Sequence, residues 1–150
     1  MKNNQKGITL VALVITIIVL LILAGVTIAA LSGDNGILTR GSQAKQDDEI
    51  GAAKDTVNLA ANEAIQEYYN VMYNAGTHAS VVNNDPQTTV KNFVAKAVGI
   101  TDAVTEGKVG NAKVKITGIT TVTVTSSDGK ASAIGTISTS GAVSWGPTSR

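Results

Sequence analysis

The sequence predicts an α+β fold, in which a long N-terminal hydrophobic helix is followed by an amphipathic helical continuation packed on a small C-terminal antiparallel β-sheet. Two observations predict it. Residues 8–31 hold 20 Ala, Val, Ile or Leu side chains among 24. Apolar residues then recur at a spacing of three to four over residues 43–74, and at every second position after about residue 108. A chain of 150 residues with this distribution holds one membrane-type segment and one domain.

The composition removes most enzyme chemistry from consideration. The chain has no Cys, which rules out disulfides, thiolate nucleophiles and zinc–thiolate sites, and it has one His and five aromatic residues. It carries neither a phosphate-binding loop nor a dinucleotide fingerprint. The net charge of +1 gives no reason to expect a nucleic-acid partner. The sequence therefore predicts a non-enzyme without cofactor or metal, whose monomer does not contact nucleic acid.

The apolar segment 8–31 is long enough to cross a membrane as a helix. At roughly 1.5 Å per residue it extends about 36 Å, against a hydrocarbon core of about 30 Å. Lys2 and Lys6 precede it and Asp34 follows it, which predicts an N-terminus on the cytoplasmic side. A cleaved secretory signal is the alternative, but its apolar core is usually about 7–15 residues long and ends in a small-residue site that this chain lacks.

The junction before the apolar segment carries a more specific pattern. A short, polar and basic leader ends in Lys6-Gly7, and Ile8-Thr9-Leu10-Val11 opens the long apolar helix. This pattern resembles the type III signal of prepilins, in the type IV pilin and pseudopilin family, and most of all the variants from Gram-positive anaerobes. The strong match covers about residues 1–31. The resemblance implies a leader at 1–7, cleavage between Gly7 and Ile8 by a prepilin peptidase, and N-methylation of Ile8.

The resemblance also implies a pilin-like architecture and function. Residues 8–31 would form the transmembrane and later filament-core helix, and residues 32–150 the globular head. The chain would stay in the cytoplasmic membrane until the leader is cut. It would then polymerise with copies of itself, through the pilus assembly machinery, into a surface filament. The small residues Gly25, Ala24 and Ala29 would permit close helix approach or local unwinding.

Two residues depart from the family pattern. The fifth mature position, usually Glu, is Ala12, and the first mature residue is Ile8 where Phe is commoner. The family's Glu pairs with the charged amino terminus of a neighbouring subunit, so docking must be managed differently here or the subunit is atypical. The alternatives are a minor pilin, a pseudopilin of a secretion or DNA-uptake machine, and a signal-anchored surface protein that never polymerises. A secreted soluble domain would require cutting near Ala30, at a poor site.

The segment after the apolar helix predicts a break and then a second helix. Residues 32–36 form a Gly-rich turn cluster, more typical of a turn than of a calcium loop. The periodicity predicts a helix over about 38–75 with a mostly alanine stripe, and we interpret the acids at 47–49 as a solvated helix start. The expected apolar stripe consists of Ile50, Ala53, Val57, Ala60, Ala61, Ala64, Ile65, Val71 and Met72. Tyr68, Tyr69 and Tyr73 are expected to pack the helix end on the sheet, and His78 to lie in an exposed loop.

The C-terminal half predicts a short helix and a sheet. Asp85-Pro86 predicts an N-cap and a first helical residue, and Gly99 the end of a helix over about 86–98. Its expected apolar face is Val90, Phe93, Val94 and Ala97. Three or four antiparallel strands are expected over about 109–146, with a hairpin turn at residues 127–130 and a bulge near Ile134. The stripe expected to cover the helix is Val114, Ile116, Val122, Val124, Ile137 and Trp145.

Overall fold

The structure, a computed structural model, describes residues 5–33, 36–74, 85–103 and 105–150. Its elements are the helices α1 (Gln5–Ser32), α2 (Ile37–Asn74) and α3 (Pro86–Val98), and the strands β1 (Glu106–Val109), β2 (Ala112–Thr117), β3 (Thr121–Thr125), β4 (Ser132–Ile137) and β5 (Val143–Trp145). The chain divides into two compact units, Met1–Ala44 and Lys45–Arg150; we call the second unit the head. The predicted α+β class is confirmed. His78 lies outside the described residues.

The helical structure is interrupted between α1 and α2, where the sequence predicts a break. The Gly33 amide still donates to the Ala29 carbonyl at 3.1 Å, and the regular helix resumes only at Ile37. The hydroxyl of Thr39 donates back to the Gly33 carbonyl at 3.1 Å. A Cβ added at Gly36 would lie 2.5 Å from the Leu31 carbonyl oxygen, so this close approach requires glycine.

In the head, α2 buries an alanine-rich stripe, as its periodicity predicts. The fully buried members are small or β-branched, and they pack in the common hydrophobic core. They are Ile50, Ala53, Val57, Ala60, Ala61 and Ala64. Two predictions at the end of the stripe differ from the structure, because Val71 is only half-buried and Met72 is 62% exposed. Tyr68 takes the buried position there instead.

Helix α3 begins and ends at the predicted caps. The Asp85 carboxylate accepts a hydrogen bond from the Thr88 amide at 2.7 Å, and Pro86 is the first helical residue. Gly99 has φ +77°, the left-handed conformation that closes many helices. Val90, Val94 and Val98 form the buried face at a spacing of four. Ala97, predicted on that face, is exposed, because the helix keeps its 3.6-residue period and the buried position falls on the next residue.

The sheet is a five-stranded antiparallel meander in the order β1-β2-β3-β4-β5. It has more strands than the three or four expected, because the sequence pattern does not indicate β1. The buried residue of β1 that faces α3 is Gly107, where a Cβ would lie 2.3 Å from the Val98 carbonyl oxygen. A glycine at the inward position breaks the apolar alternation by which a strand is recognised. The inner face of the sheet, α2 and α3 together bury one core.

The bulge expected near Ile134 is absent, and β4 pairs regularly with β3. Thr123 lies opposite Ile134, and Val122 lies opposite Gly135, without an inserted residue. The phase slip has another cause. Gly135 occupies an inward position, and a Cβ there would lie 2.9 Å from the indole ring of Trp145. The indole thus fills the space of the missing side chain while Ile134 points to solvent.

Candidate functional site

The predicted processing site lies at the start of α1. Lys6, Gly7 and Ile8 fall within the described part of this helix, and Lys2 lies outside the described residues. Gly has a low helix propensity, so Gly7 weakens the helix locally at the bond to Ile8.

The surface of α1 is hydrocarbon on all sides. Each residue from Thr9 to Gly33 is exposed. Fifteen large aliphatic side chains between Leu10 and Leu31 keep 46–67% of their surface exposed. A helix that is apolar all round belongs in a lipid bilayer or in the interior of a larger assembly. Within the residues that the structure describes, one helix is long and apolar enough to cross a membrane.

Two threonines of this helix bond within it. The hydroxyl of Thr16 donates to the Leu13 carbonyl at 2.7 Å. That of Thr27 donates to the carbonyls of Leu23 and Ala24 at 2.7 and 3.0 Å. Hydroxyl groups bonded to the preceding turn need no partner from the surroundings, so these threonines carry little penalty in lipid.

The positions predicted to govern subunit docking share one property, which is exposure. Ala12, Ala24 and Ala29 all lie on the exposed surface of α1. A Cβ added at Gly25 would have no atom within 4 Å, and the helix continues regularly through this residue, so it is not unwound there. Each of these residues therefore lies open on the described surface of α1.

The head holds its most organised polar cluster at the turn between β3 and β4. The predicted hairpin turn at residues 127–130 is present, with Gly129 at φ +73°. The Asp128 carboxylate accepts hydrogen bonds from the Ser126 hydroxyl at 2.6 Å and from the Lys130 amide at 3.0 Å. The Ser126 hydroxyl in turn accepts from the Ala131 amide at 3.0 Å. The turn is thereby fixed by its own side chains.

This turn is also bonded to α2, an arrangement that we call the hairpin clasp. The Gln46 side-chain amide donates to the second oxygen of Asp128 at 2.7 Å. The Glu49 carboxylate accepts from the amide and hydroxyl of Ser127 at 2.8 and 2.9 Å. These contacts join residues about 80 positions apart, and no local sequence pattern predicts them.

The two carboxylates of the clasp are stabilised in their charged form. Hydrogen bonds from the Ser126 hydroxyl, the Lys130 amide and the Gln46 amide lower the pKa of Asp128 to about 2. The amide of Ser127, above all, lowers the pKa of Glu49. Hydrogen bonds that favour the ionised form are the cause in both cases.

The acids at 47–49 do not lie at the helix start that we predicted, although Asp47 and Asp48 are exposed as expected. Helix α2 begins ten residues earlier, at Ile37. Glu49 belongs to the clasp, and Asp47 pairs with Arg150, next to the C-terminal bridge between Ser132 and Ser149. Asp48 alone of the three remains exposed without a described ion pair. Within the described residues, no group of three or more His, Asp or Glu is arranged to hold a metal ion.

The single tryptophan joins β5 to α2. The Trp145 indole N–H donates to the Asn58 side-chain oxygen at 2.9 Å, and the Lys54 ammonium lies 5.6 Å from the ring centroid. A half-buried indole favours both contacts, because its N–H needs a hydrogen-bond acceptor and its ring face attracts a cation. The predicted packing of Trp145 on the helix side of the sheet is present, since the indole packs against the hydrophobic core and adds these two polar contacts.

The tyrosine cluster differs from our prediction. Tyr68 is buried, but Tyr69 and Tyr73 are 47% and 82% exposed. Their rings stack with centroids 6.2 Å apart. Two of the three tyrosines therefore face solvent rather than the sheet, because they lie on the side of α2 opposite the alanine stripe.

Comparisons of this chain with protein-family models, with curated proteins and with solved structures found no match.

Proposed function

We propose that this protein is a structural subunit of a type IV pilus-like surface filament. It is inserted in the cytoplasmic membrane by α1, cleaved between Gly7 and Ile8, N-methylated at Ile8, and polymerised through its N-terminal helix. Its partners are copies of itself, a prepilin peptidase, the pilus assembly machinery and, before assembly, the membrane. The mature subunit is extracellular, and the head carries no catalytic role.

The observation that carries the proposal is the uncovered apolar surface of α1, directly after the Lys6-Gly7 junction. Burying a large aliphatic side chain contributes about 1.5–3 kcal/mol relative to water, so fifteen of them amount to a penalty on the order of tens of kcal/mol when exposed. Such a helix stays in lipid or is covered by equivalent helices. Extraction from the membrane into a filament core exchanges one apolar surrounding for another, without an aqueous intermediate.

The head supports a structural role. Several of its polar side chains are bonded within the domain, as in the hairpin clasp and the bond from Trp145 to Asn58. Its glycines at inward positions allow close packing of α3 and Trp145. A domain whose elements are tied together by such internal bonds suits a repeated building block.

Ala12 supports a second candidate, a signal-anchored surface protein that keeps its leader and does not polymerise. A charged amino terminus carried into an apolar core would lack the carboxylate partner that the family supplies from this position. This candidate requires the intact leader on the surface protein and dispersed monomers in the membrane.

Substitution of the residue before the cleaved bond tests the proposal. Gly7→Leu should leave the leader attached and abolish surface filaments, while the protein still inserts in the membrane. The matched control is Gly25→Leu, which makes the same change at an open position of α1 and should be cleaved normally. Mass spectrometry of the membrane fraction reads out cleavage, and electron microscopy of sheared cell surfaces reads out filaments. Normal cleavage of the Gly7→Leu chain would contradict the proposal.

A further inference from the structure

The side of α2 that faces away from the core carries apolar side chains that the head leaves uncovered. Leu59 is 70% exposed, and Tyr69 and Tyr73 stack on each other further along the same side. Asp55 and Glu63 lie one turn before and one turn after Leu59 and are exposed. Neither makes an ion pair within the described residues. We call this surface, formed by Asp55, Leu59, Glu63, Tyr69 and Tyr73, the helix face.

The outer side of the sheet has the opposite charge. Lys108, Lys113 and Lys115 are exposed there, and Glu106, which lies 3.7 Å from the Lys113 ammonium, is the acid beside them. Ile134 is 54% exposed among threonines on the same side. We call this surface, formed by Lys108, Lys113, Lys115, Thr123 and Ile134, the sheet face.

The sheet face has one regular row across four strands, and at one end of it Glu106 lies opposite Lys115. Lys115 lies opposite Thr123, and Thr123 lies opposite Ile134. Because neighbouring strands are about 4.8 Å apart, the Ile134 and Lys115 positions are separated by roughly 10 Å. On the helix face, an acid lies about one turn, or roughly 5–6 Å, on either side of Leu59. The flexible four-carbon stem of lysine spans the difference between these two distances. If Leu59 of one copy packs against Ile134 of another, Lys115 can therefore reach Asp55 or Glu63.

The two faces cannot meet within one molecule. The opposite side of α2 and the inner side of the sheet bury the same core, so the helix face and the sheet face lie on opposite sides of the head. Their charges and apolar residues can complement each other only between two copies. A contact between two different faces of identical subunits repeats without closing unless the rotation happens to form a ring, and it therefore generates a filament.

We propose that the helix face of one head docks on the sheet face of the next copy, with Leu59 against Ile134 and the acids beside the lysines. This inference rests on the proposed function, since the polymer holds the heads together at high local concentration. The occupant of each face is a second copy of this chain. Opposite charges select the register, and the apolar residues at the centre are excluded from water.

Paired cysteines test the contact, and the absence of Cys from the native chain makes the result specific. The full-length chain carrying Leu59→Cys and Ile134→Cys is assembled on its own cells, and sheared filaments are oxidised and separated without reductant. The proposal predicts a ladder of covalent oligomers. The controls carry Leu59→Cys or Ile134→Cys alone and should remain monomeric. Dimers from a single-cysteine chain would show a symmetric contact and overturn the proposal.

Charge reversal gives a second measurement. Lys113→Glu with Lys115→Glu should lower filament yield roughly tenfold or more, because like charges then face each other. Asp55→Lys with Glu63→Lys should do the same. All four changes together should restore most of the yield. Lys91→Glu with Lys96→Glu, which changes the charge equally on α3, should leave the yield unchanged. The fluorescence of Trp145 confirms that each head is folded.

The outcomes separate this proposal from the proposed function. Filaments with Ile8 at their N-terminus but without the covalent ladder would overturn the head contact and leave the filament role intact. Membrane-bound monomers that keep Met1 would overturn the filament role and the contact with it. A ladder together with rescue by the four-residue reversal would establish both.

Discussion

The N-terminal helix and the head contain the same few apolar residue types in opposite environments. In α1 the Val, Leu and Ile side chains are exposed on all sides, and in the head many of the corresponding side chains, such as Val57, Val94 and Val124, are completely buried. Polar side chains differ in the same way. Thr16 and Thr27 of α1 bond to their own helix, whereas several polar side chains of the head join distant elements, as Glu49 joins Ser127. The head has a buried core of its own, and the described part of α1 has none.

The largest effect should come from a charge in the head core. Val57→Asp places a carboxylate at a position with no exposed surface, and an unpaired buried charge costs about 3–5 kcal/mol. We expect the head to unfold while α1 stays in the membrane. The measurement is urea unfolding of the full chain in detergent micelles, followed by Trp145, the only tryptophan. A native-like transition in this variant would contradict the assignment of the core.

The converse change should spare the head. Leu20→Arg places a cation near the middle of α1, which costs about 2.5–3.5 kcal/mol for insertion. We expect a reduced membrane-inserted fraction and the same urea midpoint for Trp145 as in the native chain. Cell fractionation measures the first quantity. A large shift of the midpoint would show that the two regions are energetically coupled.

Two glycine substitutions should act in opposite directions. Gly135→Ala puts a methyl group 2.9 Å from the Trp145 ring, and overpacking of this kind costs about 1–3 kcal/mol. Gly51→Ala lies in α2 with open space around the new Cβ, and should stabilise the head by about 0.5–1 kcal/mol. The difference in urea midpoints measures both. Equal effects from the two changes would rule out the role given to the indole.

The smallest effect should be a pH dependence confined to the head. The folded-state pKa of Asp128, about 2, lies below its ordinary value of 3.8, so its stabilising contribution is present above about pH 4 and is lost as the pH falls toward 2. Glu49, whose pKa is also lowered, acts in the same direction. Asp128→Asn should lower the urea midpoint at pH 7 and flatten its fall between pH 4 and 2. An unchanged slope in this variant would exclude Asp128 as a source.

Local chemistry made much of this fold predictable. Asp85, Pro86 and Gly99 each act within one turn of helix, so the sequence pattern places both ends of α3. The alanine stripe of α2 likewise follows from its period. The long-range features were not predictable. Gly107 breaks the apolar alternation of β1, and Gly135 shifts the alternation of β4 in a way that resembles a bulge. In both strands the group that fills the space of the missing side chain lies elsewhere in the chain.

The features of the candidate site also divide into those set by the local sequence and those set by long-range contacts. The apolar surface of α1 and the Lys6-Gly7 junction are properties of a continuous segment and could be predicted. The exposure of Tyr69 and Tyr73 also follows from the helical period, since both lie on the side of α2 opposite the alanine stripe, whereas the stacking of their rings does not. The hairpin clasp is a further case, because Gln46 and Asp128 are brought together by the fold alone.

The most direct test of the filament role is the intact mass and N-terminal sequence of the protein recovered from its native cell surface. The proposed function predicts a chain that begins at Ile8, lacks the seven leader residues and carries an added methyl group on its amino terminus. A chain that still begins at Met1, or one that begins near Ala30 without α1, would contradict it.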